Sequence, residues 1–85
     1  MYPITTKDNE QGILTDEQQQ EIFGRLRASW SNTLKVTVTF YDRHEYRQTT
    51  GIVEAMDKRY IKLELDRGWT LVGLADITGV EFAVV

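Results

Sequence analysis

The chain is expected to fold as a mainly β domain, a small five-stranded antiparallel barrel with one N-terminal α-helix packed over an open end or edge. Three observations carry that expectation. Apolar residues recur at helical spacing only in the first third of the chain, and from Leu34 the period changes to two. A lone glycine, Gly51, interrupts the longest strand-forming run, where a residue without a Cβ permits a bend or a close backbone neighbour. Polar turn clusters at 42–45, 57–59 and 66–68 then cut the remainder into strand-length pieces. One helix followed by five short strands leaves few architectures besides a small antiparallel barrel.

Residues 1–13 show no periodicity and read as an extended or disordered tail, with 14–85 as the single domain. Thr15 is a good N-cap, and Gln18 stands at capping-box spacing from it. Asp16 and Glu17 occupy the first turn, where negative charge meets the positive end of the helix dipole. Ile22, Phe23, Leu26 and Trp30 then form one apolar stripe opposite Gln20, Arg25 and Ser31, giving a helix over about 16–30 that Ser31 and Asn32 end. In the first strand, Leu34, Val36, Val38 and Phe40 alternate with Lys35, Thr37, Thr39 and Tyr41.

Residues 42–45 form a polar turn without the Asn-Gly or Asp-Gly of a tight hairpin. The second strand covers 46–56 and bends at Gly51, which lets one strand serve both sides of a barrel. A third strand over 60–65 sets Ile61, Leu63 and Leu65 on one side. Residues 66–68 turn next, with Gly68 suited to a positive φ. A fourth strand follows over 69–72, then a helical turn over 73–76 and a fifth strand over 77–84.

Composition narrows the functional classes. The chain has 85 residues, 41% of them hydrophobic and 27% charged, which is ordinary for one soluble globular domain. No apolar run reaches the ~18 residues of a membrane span, and the N-terminus lacks the apolar stretch of a signal peptide. The absence of cysteine removes disulfides and thiolate ligands and suits a cytoplasmic location. The net charge of −3 is uneven: residues 1–24 carry one lysine against five acids, whereas 25–85 hold nine cations and eight acids. No basic excess marks a dedicated nucleic-acid binder.

Several segments together resemble the YolD-like proteins of Gram-positive bacteria and their phages. They are the helix start Ile13-Leu14-Thr15-Asp16-Glu17-Gln18-Gln19-Gln20-Glu21-Ile22, then Val38-Thr39-Phe40-Tyr41, Thr50-Gly51-Ile52-Val53 and Met56-Asp57. Ile61-Lys62-Leu63 and Asp76-Ile77-Thr78-Gly79-Val80 complete the set, and the likeness spans about residues 13–82. The turn at 42–45 departs from the acidic-Gly pair common in that family. The resemblance implies an SH3-like, Sm-like barrel with an N-terminal helix. It also implies an accessory role beside an error-prone Y-family polymerase in the DNA-damage response. Sm-type proteins use an Asn after the bend-glycine strand to grip a base and an Arg-Gly before the last strand. Here the corresponding segments are Lys58-Arg59-Tyr60-Ile61 and Gly73-Leu74-Ala75-Asp76, so RNA binding in that manner is disfavoured.

No residue pattern points to catalysis. His44 is the sole histidine and sits in a polar turn, where a solvated imidazole is the simpler reading than a triad member or metal ligand. Asp42, Glu45, Asp57 and Asp66 all occupy turns, where Asp commonly bonds its own backbone. Asp76 is expected to fix the last corner by accepting backbone hydrogen bonds. No cofactor is expected.

The candidate partner-binding residues are Tyr41, Tyr46 and Trp69, aromatics of the kind that line peptide grooves or stacking platforms, with Arg43 and Arg47 interleaved. Tyr41 alternates away from Val36, Val38 and Phe40, which points it to solvent. The expected function is therefore a non-catalytic protein-interaction module. The alternative is a barrel of Sm or OB character that binds single-stranded nucleic acid. A protein partner is expected, a Y-family DNA polymerase being the one implied by resemblance, and nucleic acid is the less favoured partner. The fifth strand, nearly uncharged, is expected to tuck under the helix or to pair with a partner strand or a second copy as a homodimer.

Overall fold

The structure is a computed structural model that describes residues 15–83. The tail expected over 1–13 and the end of the fifth strand at Val84 lie outside the described residues. Helix α1 (Asp16–Asn32) starts at the predicted capping box. The Thr15 Oγ1 accepts from the Gln18 amide at 3.1 Å, and the Gln18 Oε1 accepts from the Thr15 amide at 3.0 Å, so two orphan donors are satisfied reciprocally.

Ile22 and Leu26 are buried as the stripe requires, and Phe23 packs half-buried against the core. Trp30 is not part of it: its side chain is 47% exposed, and Ser29, fully buried, takes the third inward position. At about 100° per residue, Ser29 lies roughly 20° from Ile22 around the helix, whereas Trp30 lies roughly 80° away. Hydrophobicity favoured Trp30; helix geometry favoured Ser29. The helix also runs past Ser31 to Asn32, and Thr33 reverses the chain in the left-handed region, its amide donating to the Ser29 carbonyl. Leu34, expected inward, is exposed, because the strand ladder starts one residue later.

The five strands are β1 (Lys35–Asp42), β2 (Glu45–Met56), β3 (Tyr60–Glu64), β4 (Trp69–Gly73) and β5 (Ile77–Phe82), in the antiparallel order β4-β3-β2-β1-β5. The first half of β2 pairs with β1 as far as Ile52 opposite Lys35, and from Ile52 opposite Glu64 it pairs with β3. One strand thus serves both sides of a curled, open barrel. Gly51 stands at the handover, and a Cβ there would collide with the Glu64 carbonyl oxygen. Close approach is what requires the glycine. The break in register comes a little later, as a bulge between Val53 and Ala55.

Turn 43–44 is tighter than its residues suggest. Asp42 pairs directly with Glu45, so Arg43 and His44 alone connect β1 to β2, at φ 50° and 73°. Both residues hold the positive φ of a two-residue hairpin turn that normally selects Asn-Gly. Gly68 adopts φ 94°, as its turn demanded, and Leu74–Asp76 forms the expected single helical turn, of 3-10 type. The core joins Ile22 and Leu26 of the helix to Val36, Val38, Val53, Ile61, Leu63, Val72, Ile77 and Val80, with every strand contributing.

Candidate functional site

Two exposed surfaces gather the aromatic and cationic residues singled out from sequence. The first is the tip of the β1–β2 hairpin. The Tyr41 and Tyr46 rings face each other across the strands, edge to face, with centroids 5.0 Å apart. Arg47 lies on the opposite face of the hairpin, where it bridges Asp42 at 3.1 Å and Glu45 at 3.2 Å. Arg43 occupies the turn itself. Four of the five predicted partner-binding residues therefore share one hairpin end, the tyrosines on one face and Arg47 on the other. These contacts hold the strained turn in place, because a cross-strand aromatic pair and a three-member charge cluster each favour the paired register. Tyr41 is half-buried and Tyr46 is the more exposed ring, so the expectation that Tyr41 faces solvent is met only in part.

Trp69 belongs to a second surface, separated from the hairpin by β3 and the C-terminal half of β2. Lys62 Nζ lies 4.8 Å from the Trp69 ring centroid and 3.2 Å from the Glu54 carboxylate. Beside it, Ala55, Met56, Asp57, Tyr60, Lys62 and Leu71 line a shallow hollow of about 200 Å³. Trp69 is 60% exposed and Leu71 54%. Sequence reasoning missed Leu71 and the hollow. The run Trp69-Thr70-Leu71-Val72 alternates two apolar sets, and only the fold shows that Val72 turns inward while Trp69 and Leu71 turn outward.

Asp57 closes one end of this surface by accepting from the amides of Arg59 at 2.7 Å and Tyr60 at 2.8 Å. The Tyr60 bond, then the Arg59 bond, stabilise the carboxylate and hold its pKa below the ordinary aspartate range, with the Arg59 charge adding a smaller pull. Asp57 thus has the turn-forming role expected of it. Asp76 does not: it is exposed, lies against Gly73, and accepts no backbone hydrogen bond among the described residues. The last corner is held by backbone instead, through the Leu74 amide on the Arg59 carbonyl at 2.8 Å. A second hollow, about 270 Å³, lies between α1 and the 3-10 turn, lined by Ile22, Phe23, Leu74, Ala75 and Ile77 with Gln19 and Lys58. Among the described residues, no three His, Asp or Glu side chains are grouped to hold a metal ion. No helix among them is long and apolar enough to cross a membrane.

One helix over an open five-stranded barrel in the order 4-3-2-1-5 places the chain in the Sm-like fold class. The crystal structure of the pleiotropic translational regulator Hfq is similar over 84% of this chain and 100% of its own, with a TM-score of 0.63 and 22% sequence identity. The family model for YolD-like protein matches residues 2–81, and the chain belongs to that family. No curated protein matches it.

Proposed function

We propose that the chain is a non-catalytic protein-interaction module that serves as an accessory in DNA-damage tolerance beside an error-prone Y-family polymerase. One observation supports the interaction reading: large aromatic side chains are held outside the core in ordered contacts. Tyr46, Tyr60 and Trp69 are 57%, 49% and 60% exposed, and none is needed to close the core. Aromatic residues of this kind supply the anchors of protein interfaces, where they bury large area at low entropic cost. The polymerase half of the proposal comes from the family association alone.

Lys62 over the Trp69 ring favours one second reading, because a cation beside an exposed aromatic face is also how single-stranded nucleic acid is stacked. The description of the similar protein as a translational regulator is compatible with it. The acidic net charge opposes it.

The test mixes the purified chain with a purified Y-family polymerase from a Gram-positive host, and in parallel with labelled single-stranded DNA. The proposal expects a polymerase complex that weakens when Tyr46 and Trp69 are changed to alanine. DNA affinity that falls about tenfold or more between about 50 and 200 mM salt, without polymerase binding, would replace it by the nucleic-acid reading.

A further inference from the structure

The hollow between α1 and the 3-10 turn has apolar walls that the described residues leave half covered. Phe23 and Leu74 pack against the core on one side and stay half-buried, while Ala75 is exposed. Its volume of about 270 Å³ exceeds the ~150 Å³ of an apolar cavity that accepts benzene, so one or two aliphatic side chains fit. Charges of both signs stand around it: Lys58 on the rim, Asp57 and Arg59 on either side of Lys58, Asp76 next to Ala75, and Asp16 in the first turn of α1. The apolar walls therefore choose the occupant, and charge does not.

Position names that occupant. Gln19 and Phe23, one helical turn apart, belong to the α1 side of the hollow, and Gln19 is the fourth residue of the helix. A residue that precedes an N-cap packs against this fourth position in a hydrophobic staple. Here the preceding residue is Leu14. Gln19 gives it no apolar partner, whereas Phe23 does so one turn further along the same stripe. Thr15 has the extended backbone of φ −69° and ψ 160°. Each residue of extended chain spans about 3.3–3.6 Å, and a helical turn rises ~5.4 Å, so Leu14 and Ile13 reach the hollow from the N-cap.

Two further observations favour the chain's own residues over an outside segment. Every residue between Ile4 and Ile13 is polar or glycine, so Ile13-Leu14 is an isolated apolar pair placed directly before the cap. The family match begins at residue 2, which makes the segment ahead of α1 part of the family's unit. A tether of one or two residues also holds an effective concentration in the millimolar range, which a second copy or a foreign segment would have to exceed.

We infer that Ile13 and Leu14 of this same chain seat in the hollow and cover Phe23 and Leu74. The strap so formed ties the start of α1 to the 3-10 turn ahead of β5, two places far apart in sequence. It also closes this hollow to outside ligands in the intact chain.

Nuclear Overhauser contacts in the full chain, with its methyl groups labelled, provide the test. The Ile13 and Leu14 methyls should show cross-peaks to the Phe23 ring and to the methyls of Leu74 and Ile77. In a mixture of labelled and unlabelled chain these contacts should all lie within one molecule. Leu14→Asn leaves the cap bonds between Thr15 and Gln18 untouched. It should nevertheless move the amide resonances of Leu74 and Ala75 and lower the melting temperature by about 4 °C or more. Leu14 cross-peaks confined to α1 would mean a staple on the helix alone and would overturn the inference. So would contacts between molecules, which give the hollow to a second copy, or contacts from Tyr2 or Ile4 in place of Ile13 and Leu14. Absence of any cross-peak from Ile13 or Leu14 to the 3-10 turn would overturn it whatever the variant does. These contacts are read on the parent chain, so the test holds even if Leu14→Asn does not fold.

Discussion

Ser29→Ala should destabilise this domain far more than a serine-to-alanine change on a helix normally does. The hydroxyl is fully buried, accepts from the Val53 amide at 2.9 Å and donates to the Leu34 carbonyl at 2.5 Å. It therefore ties α1 both to its own exit and to β2 at the bulge between Val53 and Ala55. Alanine leaves the Val53 N–H buried without a partner, at about 1–3 kcal/mol. The Leu34 carbonyl belongs to a residue 41% exposed and can find water, so its loss adds little. Alanine's better helix propensity returns about 0.5 kcal/mol. The net loss is about 1.5 kcal/mol, or about 6–12 °C in melting temperature for a domain of this size. Urea and thermal denaturation followed by circular dichroism would measure it, with the exposed Ser31→Ala as control. Amide exchange at Val53 should accelerate in the variant. A loss below about 0.5 kcal/mol, with Val53 still protected, would refute the claim that Ser29 joins helix to sheet.

Gly51→Val drives a branched side chain into the Glu64 carbonyl, which cannot retreat without disturbing the end of β3, and should cost about 3 kcal/mol in a urea titration. Gly24 faces open space in mid-helix, so Gly24→Ala should stabilise by about 1 kcal/mol, seen as a higher melting temperature. Arg43→Asn with His44→Gly should relieve two positive φ angles and stabilise the hairpin by about 1–2 kcal/mol, which thermal melts would detect. Asp57 has a pKa below the ordinary aspartate range, so its contribution to stability is complete above that range and is lost as pH falls through the lowered value. Asp57→Asn keeps an acceptor for the turn but has no charge to lose, and its urea midpoint should vary less with pH across that acid window than the parent's.

Much of the fold was legible before any coordinates. The capping box at Thr15 and Gln18, the inward set Val36, Val38, Ile61 and Leu63, and the turn at Gly68 all depend on neighbours within a few residues, and all appear where local rules put them. The errors share a cause. Trp30 was assigned inward because it is large and apolar, but a fully buried hydroxyl won the place by angle and by two hydrogen bonds. Asp76 was assigned a corner that the Arg59 carbonyl holds instead. Of the candidate residues, Tyr41 and Tyr46 meet because they are directly paired across one turn, whereas Arg47 alternates to the other face and Trp69 lies two strands away.

By itself the amino-acid sequence determined the element order, the helix start, the need for a glycine at position 51 and the absence of any cysteine chemistry. These follow from side-chain size, period and backbone freedom, which act over a turn or a strand pair. Tertiary structure alone decided which sheet edge is free. Arg25 meets the Val80 carbonyl from 55 residues away and covers part of the β5 edge, while the phase of the β3–β4 ladder turns the backbone polar groups of Trp69, Leu71 and Gly73 outward. Neither outcome has a local signal, because an edge is defined by what fails to pair with it, and that is settled only when the whole sheet has assembled.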